Sequence, residues 1–107
     1  MTRSIDSSIL NQLIDSDDAP LLLDVRRKAD FDDAPRTIPG AVWRDPEAVD
    51  AWAADLSEGQ PTVVFCVKGG SVSRSVSERL QKKGIEAVFL EGGLKAWIDS
   101  GRPVSEA

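Results

Sequence analysis

Three short apolar runs are the feature that most constrains the fold of this chain. They occupy residues 21–25, 62–66 and 87–90, and apolar residues follow one another in each run instead of alternating with polar ones. A strand with one face in water alternates, whereas a strand covered on both faces is apolar almost throughout. Segments with helical spacing separate the runs. The pattern therefore predicts an α/β fold, with a mostly parallel sheet and helices on both faces.

Four segments carry apolar residues at helical spacing. The first follows Asp6 and Ser7, which are its expected N-caps, and the second starts at Asp45 with Pro46 in its first turn. The third has Ser73 as its expected N-cap. The fourth spans residues 94–100, and the apolar stripes of the first three are Ile9, Leu10, Leu13 and Ile14, then Val49, Trp52, Ala53 and Leu56, then Val72, Val76 and Leu80.

Shorter signals mark the connections. Gly84 is expected to end the third helix as its C′ residue, and one helical turn is expected around Phe31. Val42 and Trp43 can form a brief extended segment after the Pro39-Gly40 turn. Asp30, Asp32 and Asp33 are interpreted as a solvent-exposed acidic face.

Composition excludes several classes of function. The chain has 107 residues, which suits one domain, so we expect residues 1–107 to form a single domain. It has no His, which removes Ser-His-Asp and Cys-His catalytic pairs and the usual zinc sites. Its formal net charge of −5 disfavours nucleic acid and anionic membranes, and its apolar runs are too short to span a bilayer. We expect a cytoplasmic protein that uses no metal or cofactor and binds neither nucleic acid nor membrane.

Cys66, the single cysteine, ends the most strand-like run and precedes a glycine-bearing loop and a helix. Ligands of open α/β sheets bind outside the carboxyl ends of the strands, where helix N-termini offer unpaired N–H groups. The helix end and Lys68 would both favour an ionised thiol, which needs no histidine to act as a nucleophile. The alternative is a structural role, because free cysteines are often buried as small apolar residues.

Four segments in this order resemble the signature segments of rhodanese-like domains. They are Leu23–Arg26, Ile38–Ala41, the strand and loop ending in Cys66–Ser71, and Glu91–Trp97, and the similarity spans residues 20–104. The resemblance implies a single-domain fold with a five-stranded parallel sheet. It also implies a sulfurtransferase that carries a persulfide sulfur on its cysteine.

Carried over by position, the resemblance implies specific roles in the loop. Cys66 would be the catalytic nucleophile, Lys68 would hold the anionic donor, and Ser71 would offer a hydroxyl group. The loop is also similar to the variant of chromate-resistance-associated rhodanese domains, and Asp30 replaces an arginine of the thiosulfate enzymes. The implied partners are a small sulfur donor and a thiol or cyanide acceptor, with a protein acceptor also compatible. The expected substrate-binding residues are Val67, Lys68, Gly69, Gly70, Ser71, Val72 and Ser73.

Two other functions remain open at this stage. One is a noncatalytic domain that binds a partner or carries sulfur. The other is a Cys-dependent phosphatase or arsenate reductase, whose loop places an arginine six positions after the cysteine. The first arginine after Cys66 is Arg74, which makes the spacing two residues too long. The sequence leaves the roles of Arg26, Arg44, Arg74 and Trp43 undecided.

Overall fold

The computed structural model describes residues 3–17 and 19–106. Residues 1, 2, 18 and 107 of the expected single domain lie outside the described residues. The centre of the fold is a five-stranded sheet in which every strand pairs in parallel with its neighbours, in the order β1-β6-β5-β2-β4. The predicted α/β architecture is confirmed. The strands are β1 (Ser4–Ile5), β2 (Leu21–Asp24), β4 (Val42–Trp43), β5 (Thr62–Phe65) and β6 (Ala87–Leu90).

Helices connect these strands in the predicted positions. Asp6 caps the first helix, because its carboxylate accepts a hydrogen bond of 2.9 Å from the N–H of Ile9. The second predicted helix is divided into a 3-10 helix, Pro46–Ala48, and a short α-helix. The α-helices are α1 (Ser7–Ile14), α2 (Lys28–Asp33), α3 (Val49–Ala53), α4 (Ser71–Lys82) and α5 (Gly93–Asp99).

The sheet separates two apolar layers. Successive side chains of a strand point to opposite faces, so Leu22 and Leu23 of β2 belong to different layers. One layer packs the sheet against α3 and α4, and the other packs it against α1 and α5. Helices therefore cover both faces, as the unbroken apolar runs predicted. Within the described part of the chain, no helix has the length and apolar character needed to cross a membrane.

Some features of the fold differ from the pattern-based prediction. The N-cap prediction for Ser73 is wrong: α4 begins at Ser71, Gly70 is its N-cap, and Ser73 lies buried in the first turn. Strand β1 was not predicted, and it forms one edge of the sheet beside β6. A separate antiparallel pair, β3 (Arg36–Thr37) and β7 (Ser105–Glu106), was also not predicted.

Candidate active site

Cys66 lies directly after the central strand of the sheet, at its carboxyl end, as the sequence predicted. Only 6% of the residue is exposed. It nevertheless contributes to the wall of an open pocket of about 340 Å³. We call this the Cys66 pocket; its lining residues are Arg26, Arg27, Asp30, Cys66, Val67, Lys68, Gly70, Ser71 and Val72.

The loop after Cys66 is held in shape by the loop that begins α5. The N–H of Leu94 donates to the carbonyl of Cys66 at 2.8 Å, and the N–H of Lys95 donates to the carbonyl of Val67 at 2.9 Å. Gly69 and Gly93 face each other where the loops meet, both with positive φ, and a Cβ on Gly93 would lie 2.5 Å from the nitrogen of Gly69. Two glycines are thus required by this contact.

Among the described residues, no carbonyl or side chain accepts a hydrogen bond from the backbone N–H groups of residues 67–73. Gly70 caps α4 without a side-chain bond. The first N–H groups of a helix lack intrahelical acceptors and carry partial positive charge. The loop and the first turn of α4 therefore offer donors for an anion beside Cys66.

Ser73 is the only hydroxyl hydrogen-bonded to the cysteine among the described residues. Its Oγ lies 3.2 Å from Sγ of Cys66, and the residue is fully buried. Helical geometry brings it there, because Ser73 is in the first turn of α4 and points down to the end of β5. Ser71, which the resemblance favoured as the hydroxyl donor, is exposed and lines the pocket without a hydrogen bond to Cys66.

Two exposed cationic residues border the Cys66 pocket. Lys68 was predicted, and it has no ion pair among the described residues. Arg27 was missed by the sequence analysis, although it precedes α2 and also lines the pocket. Its place near Cys66 could have been predicted from the sequence, because Arg27 follows β2, and the parallel neighbours β2 and β5 end at the same edge of the sheet.

Arg26 has a structural role, although its side chain touches the pocket wall. It forms a buried ion pair with Asp24, with Nη2 and Oδ2 2.8 Å apart. Its guanidinium also donates to the carbonyls of Ala34 and Arg36, and Thr37 donates to the same carboxylate of Asp24. Through these hydrogen bonds the buried ion pair holds the segment that contains α2 against the end of β2. The bonds also give these buried polar groups the partners that they need.

The remaining undecided residues do not line the Cys66 pocket. Arg74 is stacked over Phe89, with 5.3 Å between its Cζ atom and the ring centroid, and it does not line the Cys66 pocket. Trp43 donates from its indole nitrogen to the carbonyl of Arg26 at 2.9 Å. Arg44 is exposed and likewise absent from the pocket wall. The arginine that a phosphatase loop requires is therefore not supplied by α4.

Sequence comparisons place this architecture among known proteins. The family model of the rhodanese-like domain matches residues 6–100. A putative sulfurtransferase from Bacillus subtilis, YtwF, is 27% identical over 107 residues, covering 94% of this chain and 95% of its own length. The adenylyltransferase and sulfurtransferase UBA4 of Yarrowia lipolytica is 36% identical over 91 residues, covering 78% of this chain. The chain spans 22% of UBA4's length and 14% of another relative, a tRNA 2-selenouridine synthase from Shewanella frigidimarina.

Comparison with solved structures agrees with this. A rhodanese-related protein from Thermoplasma volcanium superposes with a TM-score of 0.83 at 27% identity, covering 96% of this chain and 97% of that one. The similarity thus extends over nearly the whole of both chains.

Proposed function

The chain belongs to the rhodanese-like domain family, and from that membership we propose that it is a sulfurtransferase acting through a persulfide on Cys66. The donor is an anionic sulfane-sulfur compound of the thiosulfate type, and the acceptor is a thiol or cyanide. The relatives support this proposal, because one of them is named a putative sulfurtransferase. The observation that carries it is the position of Cys66 in a pocket wall beside unpaired backbone N–H groups.

The proposed reaction has two displacement steps. In the first, the Cys66 thiolate attacks the outer sulfur of thiosulfate, a bond forms between Sγ and that sulfur, and the sulfur–sulfur bond of the donor breaks. Sulfite leaves with the bonding electron pair. In the second, a thiolate or cyanide attacks the outer sulfur of the persulfide, and the Cys66 thiolate is the leaving group. The products are an acceptor persulfide or thiocyanate, and no oxidant or reductant is consumed.

Each neighbouring group has a distinct part in this reaction. In the structure the Cys66 thiol donates to Ser73 Oγ. Once the thiol is ionised, the same hydroxyl can donate to the thiolate, and the side chains of Arg27 and Lys68 attract the anionic donor. The N–H groups of residues 67–73 stabilise negative charge on the transferred sulfur and on the departing sulfite. None of these groups has to remove a proton, which is consistent with the absence of histidine.

Mass spectrometry tests the proposal directly. The purified protein is incubated with thiosulfate, desalted and measured intact, and we expect a mass increase of about 32 Da, one sulfur atom, on Cys66. Addition of cyanide should remove the adduct and release thiocyanate. Cys66→Ser should give neither the adduct nor thiocyanate. The circular dichroism spectrum of the variant serves as the control for folding.

The same experiment separates the alternatives. Hydrolysis of an aryl phosphate without any mass adduct would instead indicate a phosphatase. A stable adduct that neither cyanide nor any thiol removes would indicate a domain that stores sulfur without turnover. No adduct with any sulfane donor would overturn the proposed function.

A further inference from the structure

A second pocket adjoins the Cys66 pocket on the side of α5. It has a volume of about 290 Å³, and Arg26, Asp30 and Val67 line both pockets. We call it the α2–α5 groove. Val67 directly follows Cys66 in the chain, so a ligand in this groove contacts the residue next to the cysteine. The other residues of the groove are Asp33, Ala34, Leu94, Lys95, Ile98 and Asp99.

The floor of the groove is apolar. Ala34, Val67, Leu94 and Ile98 contribute aliphatic side chains, and Ile98 is 48% exposed at the open side. An apolar ligand that covers Ile98 removes this apolar surface from water, and that burial favours binding. An inorganic anion such as thiosulfate gains nothing from such a surface. The groove therefore suits an organic molecule.

The charge around the groove is negative. Asp30 and Asp33 are exposed and have no ion pair among the described residues. Lys95 is already paired with Asp99, with 2.6 Å between Nζ and Oδ2. Arg26 is likewise neutralised, by Asp24. The two unpaired carboxylates repel anions and attract a cation placed at the edge of the apolar floor.

We propose that the α2–α5 groove binds the sulfur acceptor, and that this acceptor is an organic thiol with an apolar body and a cationic group. This inference rests on the proposed function. It assigns donor and acceptor to different surfaces: the anionic donor is drawn by Arg27 and Lys68 in the Cys66 pocket, and the acceptor approaches over Val67. Asp30 lines both pockets, so the difference in charge comes from Arg27 and Lys68 in the Cys66 pocket and from Asp33 in the groove, and this difference favours each ligand in its own position.

Binding can be tested without sulfur transfer. Benzylammonium and phenylacetate have similar apolar bodies and opposite charges, and neither contains a thiol. We expect benzylammonium to shift the backbone amide resonances of Leu94–Asp99 and Ala34 in a two-dimensional NMR spectrum of the wild-type protein. We expect phenylacetate to bind at least about tenfold more weakly, as a like charge at the edge would cause. Equal binding of the two, or shifts elsewhere in the protein, would overturn the inference.

The second arm of the test compares the rates of sulfur transfer to two thiols. Protein carrying the persulfide is mixed with 4-(aminomethyl)phenylmethanethiol or with 4-(mercaptomethyl)benzoic acid, and loss of the adduct is followed by mass. The ratio of the two rates should favour the aminothiol by about tenfold or more. Ile98→Lys, which places a cation in the groove, should bring that ratio close to one. Ile9→Lys is the matched control, because Ile9 is a 45% exposed isoleucine of α1 outside the groove.

The two arms distinguish the possible failures. If no persulfide forms, the proposed function is wrong, and the NMR arm shows separately whether the groove selects an apolar cation. If the persulfide forms but the anionic thiol reacts as fast as the cationic one, the acceptor assignment is wrong while the sulfurtransferase proposal stands.

Discussion

Ser73 Oγ lies 3.2 Å from Cys66 Sγ, although the two residues belong to different elements and are seven positions apart. The serine is fully buried, so its hydroxyl does not exchange this contact for one with water. A hydrogen bond to a charged atom in such surroundings contributes about 1.5–3 kcal/mol. The Cys66 thiol is the donor in this contact, and in the proposed reaction the Ser73 hydroxyl can instead donate to the thiolate.

Replacing Ser73 by alanine should slow persulfide formation from thiosulfate by about tenfold or more at neutral pH, because the thiolate loses its hydroxyl partner. Ser77→Ala is the matched control, since Ser77 is an equally buried serine one turn further along α4 that contacts Gln81 instead. Equal rates for the two variants would contradict the role of Ser73.

The two glycines after Lys68 should respond differently to substitution. Gly69 has φ +70°, and an added Cβ would lie 2.6 Å from the nitrogen of Gly92, a backbone atom that cannot move freely. Gly69→Ala should therefore lower the free energy of unfolding by about 2–4 kcal/mol in urea titrations. Gly70 has φ −88° and open space around it, so Gly70→Ala should cost less than about 1 kcal/mol. Similar losses of unfolding free energy for both variants would contradict the importance of the close contact between Gly69 and Gly92.

Arg27 and Lys68 should act on donor binding. Their positive charges line the pocket, so Arg27→Ala and Lys68→Ala should each weaken use of thiosulfate by about 1–3 kcal/mol, measured as the change in kcat/KM. Added salt should reduce the difference from wild type. Arg44→Ala removes an exposed arginine that is outside the pocket and should behave like wild type. Kinetics unchanged by either pocket substitution would remove that residue from the donor site.

Asp50 gives the fold a dependence on acid pH. A hydrogen bond from Lys83, together with the charges of Lys83 and Arg79, holds the pKa of Asp50 below its usual value of 3.8. Because the pKa of Asp50 is lower in the folded state than in the unfolded state, these ion pairs stabilise the protein at pH values above 3.8. That stability is lost as pH falls through the lowered pKa.

The comparison of wild type with Asp50→Asn measures this contribution. The wild-type protein should be slightly more stable to urea at pH 6, and the difference should disappear as pH falls through the lowered pKa of Asp50. High salt at pH 6 should shrink it as well. Asp55→Asn, at an exposed aspartate with no ion pair among the described residues, is the matched control for replacing an exposed aspartate by asparagine. A difference that persists in acid would contradict the assignment.

The parts of the fold that were predictable are those with a strong repeating signal. Strand β5 consists of four fully buried residues and could be read from its apolar run, and the run also located Cys66 at its end. Strand β1 has only two residues, too few to show any periodicity. The start of α4 was misplaced because Gly70 caps it through the backbone alone, whereas sequence signals for caps come from side chains.

The candidate site divides in the same way. The cysteine, the loop and Lys68 are consecutive in the chain, so their proximity follows from sequence. The hydrogen bond between Ser73 and Cys66 depends on the exact turn at which α4 begins, and the α2–α5 groove depends on how two helices far apart in the chain come together. Neither relationship can be predicted from local residue patterns.

The hydrogen bonds from Leu94 and Lys95 to the carbonyls of Cys66 and Val67 also bear on how the protein matures during synthesis. The loop has no external support until the ribosome has added residue 95, almost thirty positions after the cysteine. While those intervening residues are added, the nascent chain carries Cys66 without the hydrogen bonds that shape its loop. The loop around Cys66 reaches its final shape only when α5 docks, so the proposed reactivity of the cysteine would be confined to chains that have folded.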